Sequence, residues 1–382
     1  MRALSAVFQG SDHSLLISKG LCRYTVLMSD LHKSNLIKDL SDDQARALID
    51  ARQAYEIAVA ARRRAAAYDG TMYWNAVRGQ DYLTRSVREP ATRVRRNRSL
   101  GRRSPETEGM KARFDAGKAE ADASLEAVEA RLAVLARVNV ALGLGRVPLQ
   151  AARVMRAVDR AGLLGAGLRV VGTNAVYAYE AAAAVHLSSH LMATADLDLL
   201  FDARSRLRFS AQADLDERTL LAVLRQVDKS YRRLPRTFTA ANDAGFMVDL
   251  IKPMRDPPWT RERETIGGAD DLIAVEIEKL AWLESAPSFE AIAIDQRGLP
   301  LRIVAVDPRV FAIHKDWIAK DPARDPAKRQ RDAGQARAVA EIVATRLLHL
   351  PFEAEALRMM PRELVEAAAP LFAAHRPPKL EW

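Results

Sequence analysis

Residues 168–201 read LRVVGTNAVYAYEAAAAVHLSSHLMATADLDLLF, and this stretch decides the fold. An apolar run, Leu168 to Val171, ends at Gly172-Thr173-Asn174. An alanine-rich helical stretch follows, and Asp196-Leu197-Asp198 then lies in a second apolar run that closes at Phe201. The order is strand, tight turn, helix, strand. Strand side chains alternate faces, so Asp196 and Asp198 at i and i+2 point the same way. Two carboxylates on one face, beside a turn rich in backbone N–H groups, make a place for a divalent cation holding a phosphate.

A third acid extends the pattern. Phe246 to Ile251, FMVDLI, reads as another strand with Asp249 inside it. A charge in an apolar strand is costly unless paired or metal-bound. If this strand lies beside the other two, the site has three carboxylates. Three carboxylates around two Mg²⁺ ions suit nucleotidyl transfer, in which an acceptor hydroxyl attacks the α-phosphate of an NTP.

The order of these parts, an apolar run into Gly-Thr, a helix, Asp-x-Asp and a later single Asp, resembles the polymerase-beta-type nucleotidyltransferase superfamily. Thr173 stands where that superfamily more often has Ser, and its hydroxyl can do the same work. Val171-Gly172-Thr173-Asn174-Ala175, with Tyr177 and Glu180, is similar to an uncharacterised bacterial branch of nucleotidyltransferase-domain proteins. Ser99 to Glu108, SLGRRSPETE, resembles a segment that precedes the domain in that branch. The resemblance covers roughly residues 40–350. It implies Asp196, Asp198 and Asp249 as catalytic metal ligands, with Gly172, Thr173 and Asn174 at the nucleotide. Lys315 followed by Lys328, Arg329, Arg331 and Asp332 resembles the C-terminal motifs of abortive-infection-type nucleotidyltransferase toxins. By that resemblance Lys315 touches the triphosphate, Asp332 orients it or its partners, and an antitoxin is a further partner. The alternative is a salt-bridged surface helix.

At 382 residues the chain is long enough for two or three domains. Its 49% hydrophobic and 28% charged residues fit an ordinary globular protein. The net charge of +9 favours a polyanionic partner. One cysteine, Cys22, excludes an intramolecular disulfide framework and suits a reducing compartment. No apolar run approaches the length of a membrane helix, and Gln9, Ser11, Asp12 and His13 break any signal-peptide core, so the chain reads as cytoplasmic.

Taken in order, residues 1–40 show no period and form a poorly defined extension. Ser41 and Gln44 make a capping box for a helix with Gly70 as its stop. Residues 71–103 change texture: Tyr73, Trp74 and Tyr82 stand among arginines, and Arg85 to Arg103 holds eight arginines against Glu89. Read as a loop, this cluster offers Arg93, Arg95, Arg96, Arg98, Arg102 and Arg103 to nucleic-acid phosphates, with aromatics for unpaired bases. A solvated loop pairing with acids elsewhere, or one contacting the NTP, are the alternatives. Ser104-Pro105-Glu106 starts a helix that runs to about Leu142, with Leu125, Val128, Leu132, Leu135 and Val138 as a packing stripe. Residues 147–164 form another helix. His186 and His190 read as loop or helix surface. Asp216 caps a helix through about Tyr231. Residues 236–251 read as a hairpin turning at Asn242-Asp243-Ala244-Gly245, 273–284 as a helix or buried run, and 288–306 as a late hairpin extending the same sheet. Two helices lead to 350, and a helix with a Pro-rich tail ends the chain.

The expected architecture is α+β. A small mixed-sheet core over 166–306 is flanked by a helical region over 41–165, carrying the Arg-rich loop 85–103, and a C-terminal helical region over 307–382. The expected activity is transfer of NMP from an NTP, with Mg²⁺, to an acceptor hydroxyl, foremost an RNA end such as that of tRNA. AMPylation of a protein hydroxyl, or a non-catalytic nucleic-acid-binding protein keeping the fold, are the competing readings.

Overall fold

The computed structural model describes residues 36–88, 94–205, 219–235, 238–255, 264–268, 270–278, 280–353 and 355–375. Strand β1 is Ile37–Asp39, and helix α1 is Asp42–Ala67. Ser41 caps α1 as its spacing requires: its hydroxyl accepts from the Gln44 N–H, and the Gln44 side chain accepts from the Ser41 N–H. A stripe of small residues, from Ala47 to Ala61, is the buried face of α1. The helix stops three residues before Gly70, which takes a positive φ at the entry to the next strand.

Where the sequence reads as an Arg-rich loop, the chain instead forms a three-stranded antiparallel sheet: β2 Thr71–Val77, β3 Gln80–Arg88 and β4 Arg95–Arg102. Alternation and turn chemistry explain the difference. Arg78 and Gly79 both have positive φ, the geometry of a two-residue hairpin turn that matches strand twist. Leu83 in the middle strand is fully buried, and Arg85 lies over the Phe114 ring of the following helix. That helix, α2, is Pro105–Ala141, 37 residues capped by Ser104. Leu132 packs with Ala54 and Ala58 of α1, but Val138, the last residue of the expected stripe, is exposed.

Helix α3 (Leu149–Arg160) leads into β5 (Leu168–Val171), α4 (Val176–Ala183), β6 (Val185–Leu187) and β7 (Asp196–Phe201). The strand between helix and β7 was not expected; β6 pairs antiparallel with β1 and carries His186, while His190 lies on a short 3₁₀ turn. Helix α5 (Leu220–Val227) is capped by Thr219; Asp216 lies outside the described residues. There follow β8 (Arg232–Arg233), β9 (Thr239–Ala241) and β10 (Met247–Pro253). Residues 273–284, read as a helix or buried run, split into β11 (Val275–Ile277) and a short α6 (Ala281–Ser285). The late hairpin is β12 (Ser288–Ile294) and β13 (Pro300–Val306), followed by α7 (Pro308–Ala319), α8 (Pro326–Thr345) and α9 (Arg362–Ala373). The Pro-rich tail lies outside the described residues.

The main sheet is mixed, ordered β12-β13-β5-β7-β10-β9-β8, with β11 pairing the second half of β10. The architecture is α+β, with helices before and after the sheet. Its apolar runs lie almost wholly within one core, each fully buried Leu or Val contributing about 1.5–3 kcal/mol. Tyr179 of α4 sits edge-on to Phe289 and Phe311, and its buried hydroxyl donates to the Val306 carbonyl at 2.8 Å. The β12–β13 turn carries the end of α2: Asn139 Nδ2 donates to the Gly298 carbonyl at 2.8 Å. Gly298 has φ +79°, and a Cβ there would overlap the Ala136 carbonyl. Buried Asp295 ties the same turn, accepting from the Arg297 and Leu299 N–H groups and from Arg156 at 2.7 Å.

Candidate active site

The sheet register assembles the acids. β7 and β10 run parallel, with Asp198 opposite Asp249 and Asp196 opposite Met247, while β5 flanks β7 with Val171 opposite Asp198. Laterally paired residues share a face, and so do i and i+2, so all three carboxylates project together. One ligand oxygen from each lies within 4.8 Å of the others, and all three residues are half-buried. Among the described residues this is the one group of three or more potential metal ligands. His186 and His190 belong to no such group, and burial pulls His186 down to about 4.

The carboxylates are held in place by groups the sequence did not single out. Thr194 donates to Asp196 Oδ1, and Thr239 donates to Asp249 Oδ1 at 2.7 Å. Thr194 precedes Asp196 by two residues, which was a local signal. Thr239 comes from the neighbouring β9, across the hairpin. Asp198 is pushed up to about 7, first by burial and then by the charges of Asp196 and Asp249, with Lys315 and Lys328 opposing. Three hard oxygen ligands that repel one another fit a hard divalent cation such as Mg²⁺.

The turn residues divide. Gly172 borders the site with φ +63°, and a Cβ there would overlap the Asp198 carboxylate, so glycine is required on both counts. Thr173 and Asn174 are buried instead. The Thr173 hydroxyl accepts from Gln335 Nε2 at 3.2 Å, and Gln335 also donates to the Leu191 carbonyl at 2.6 Å. Asn174 Nδ2 donates to the Asp196 carbonyl at 2.7 Å. These contacts brace the backbone under Asp196.

A cavity of about 670 Å³ opens beside Asp198 and Gly172. That volume falls within the usual range of small-ligand sites, about 300–1,000 Å³. Ile251, Leu283, Phe311 and Ile318 give it apolar walls, and its charged lining mixes Lys315, Lys320 and Arg324 with Glu278 and Asp321 beside Asp198. Lys315 is buried, lies over the Phe311 ring and pairs with Asp332 at 2.6 Å. Burial lowers its pKa, and the charge and hydrogen bond of Asp332 oppose that. Asp332 is fully buried and takes Arg324 on its other oxygen. His314 is driven down to about 3 by burial and by the Lys315 charge, so it is neutral. Lys315 therefore borders the cavity, while Asp332 stands behind it, holding Lys315 and Arg324. None of Arg95, Arg96, Arg98, Arg102 and Arg103 lines this cavity; Arg93 lies outside the described residues.

A mixed sheet presenting three aspartates beside a cavity that mixes lysine and arginine with carboxylates fits an enzyme that handles phosphate esters. The comparison with known families is specific: a nucleotidyltransferase model matches residues 150–361, more than half of the chain, and the chain belongs to that family. It is a nucleotidyltransferase enzyme. The match spans β5, β7, β10 and the Lys315–Asp332 pair, and begins after the Arg-rich sheet. No curated protein and no solved structure matches the chain. Among the described residues, no helix is long and apolar enough to cross a membrane.

Proposed function

We propose that the chain transfers a nucleoside monophosphate from an NTP to the terminal hydroxyl of an RNA, with Mg²⁺ held by Asp196, Asp198 and Asp249. One observation carries the reading: the parallel register that sets Asp249 beside Asp198 on the face Asp196 already occupies. When bound, the metal ions neutralise triphosphate charge and lower the pKa of the attacking hydroxyl. The chain's own residues supply position and charge. Gly172 lets the backbone approach the phosphates, and Lys315, steadied by Asp332, presents a cation to them. The apolar wall around Phe311 and Ile318 receives the less polar part of the nucleotide. Such sites act mainly by positioning and electrostatic stabilisation.

RNA is favoured as acceptor over a cationic small molecule by the net charge of +9 and the arginine cluster. The test is label transfer from each α-labelled NTP with Mg²⁺ and total tRNA, beside an Asp196→Ala/Asp198→Ala control. Labelled RNA with wild type alone supports the reading. Label on protein instead of RNA moves the acceptor to a protein hydroxyl. No label anywhere, with RNA still bound, moves the chain to the non-catalytic reading.

A further inference from the structure

The Arg-rich sheet has two unlike faces. Strand alternation and register place Trp74, Leu83 and Arg85 on one face, with Asp81. That face packs on α2: Arg85 covers Phe114, and Arg103 lies over Trp74 and pairs with Asp81 and Glu108. The other face carries Tyr73, Tyr82, Arg88, Arg95 and Arg102, and its remaining side chains are mostly Ser, Thr and Asn. Tyr73 is 38% exposed. Arg102 donates to the Tyr82 hydroxyl at 3.0 Å and lies against its ring, forming a ready stacking plate. Strands β2 and β4 contain no acid, and the single acid of β3, Asp81, is on the other face.

The placement of this face matters as much as its chemistry. α1 packs on Leu144 and on Ile294 of β12 through Ala47, Leu48 and Ala51, and Tyr55 is hydrogen-bonded to Asp159. Beyond Tyr55 the helix pairs with α2, through Arg64–Glu120 and Tyr68–Phe114 among others. Twelve further residues to Ala67 carry the chain about 18 Å along the helix axis before the sheet begins. The sheet is the tip of a two-helix arm.

We infer that the outward face of β2–β4 grips unpaired nucleotides of the acceptor RNA at a distance from the end being modified, so the arm selects acceptors by length. The inference rests on the RNA-acceptor reading. Arg88, Arg95 and Arg102 match phosphate charge, and Tyr73 and Tyr82 offer stacking surfaces. A double-helical RNA stem that spans the roughly 18 Å from Tyr55 to the sheet must be several base pairs long.

The experiment uses the full chain and fluorescent stem-loop RNAs that share one loop and one acceptor end, with stems of about 3 and about 10 base pairs. Binding is followed against salt, and transfer with α-labelled NTP. The long RNA should bind tighter and be labelled faster. Arg88→Ala/Arg95→Ala/Arg102→Ala should cost the long RNA about a hundredfold in affinity, make its log–log salt slope shallower by about 2, and abolish its advantage in transfer. Tyr73→Ala/Tyr82→Ala should weaken the looped RNA but not a fully paired one. Equal labelling of both RNAs, with a salt slope unmoved in the triple variant, overturns the inference and leaves the transferase reading standing. Salt-dependent binding at this face without transfer to any RNA overturns the acceptor reading and leaves the surface. Polyglutamate competing as well as RNA, with no effect of the tyrosine substitutions, assigns the face to an acidic protein and overturns the inference.

Discussion

Asp198→Asn should make the metal-free protein more stable while removing its activity. The Asp198 carboxyl moves from its usual 3.8 to about 7 on folding, because it is buried between like charges. That shift corresponds to about 4 kcal/mol. The carboxylate is half-buried rather than sealed, so solvent screening reduces the usable figure to about 2 kcal/mol. The folded-state value lies above the unfolded one, so the native state holds the extra proton between about 4 and about 7. Stability therefore falls as pH rises through that window, and the full penalty is present above it. Asparagine carries no charge at any of these pH values. At pH of about 8 the variant should melt about 2–3 °C above wild type, and near pH 4 the two should coincide. Saturating Mg²⁺ should reverse the order, because the ion binds the native carboxylates and stabilises wild type more. The assay is thermal unfolding followed by tryptophan fluorescence across pH, with chelator and with Mg²⁺. A variant less stable than wild type by the same amount at both pH values would refute the reasoning.

Further expectations concern the rest of the site. Asp332→Ala should cost about 3–5 kcal/mol, because it strands the buried Lys315 and the partly buried Arg324 without their shared partner; an unchanged denaturant midpoint would contradict this. Gly172→Ala should lose at least about 1–2 kcal/mol from its left-handed backbone. Displacement of Asp198 should also weaken Mg²⁺ binding by calorimetry, and wild-type affinity there would remove the packing argument. Expression in a bacterial host should arrest growth, and Asp196→Ala/Asp198→Ala should relieve the arrest; normal growth with active wild type would remove the toxin-like role together with its antitoxin partner, but not the chemistry.

The parts legible from sequence were those written in local pattern. Leu168–Val171 and the run around Asp198 are short, apolar and bounded by turn residues, so β5 and β7 could be read, and the Asn242–Gly245 turn led to β10. The caps at Ser41 and Ser104 declared their helices. The three aspartates could be named because a charge in an apolar strand asks for a partner. The sheet β2–β4 was hidden because alternation of tyrosine, leucine and arginine reads as a basic loop until Arg78-Gly79 is recognised as a hairpin turn. The braces of the site were hidden for another reason. Gln335 reaches Thr173 across 162 residues, and no spacing within one segment encodes that contact. Burial of Thr173 and Asn174 followed from the same packing.

The β12–β13 turn has a consequence for how this protein tolerates change. Surface turns are usually where insertions and substitutions accumulate. This one is a saddle: α2 rests on Gly298, Asn139 is bonded to its carbonyl, and Asp295 is sealed beneath Arg156. A mutational scan should find Asp295 and Gly298 as intolerant as the core, and lengthening this hairpin should tilt the base of the arm while leaving the aspartates where they are.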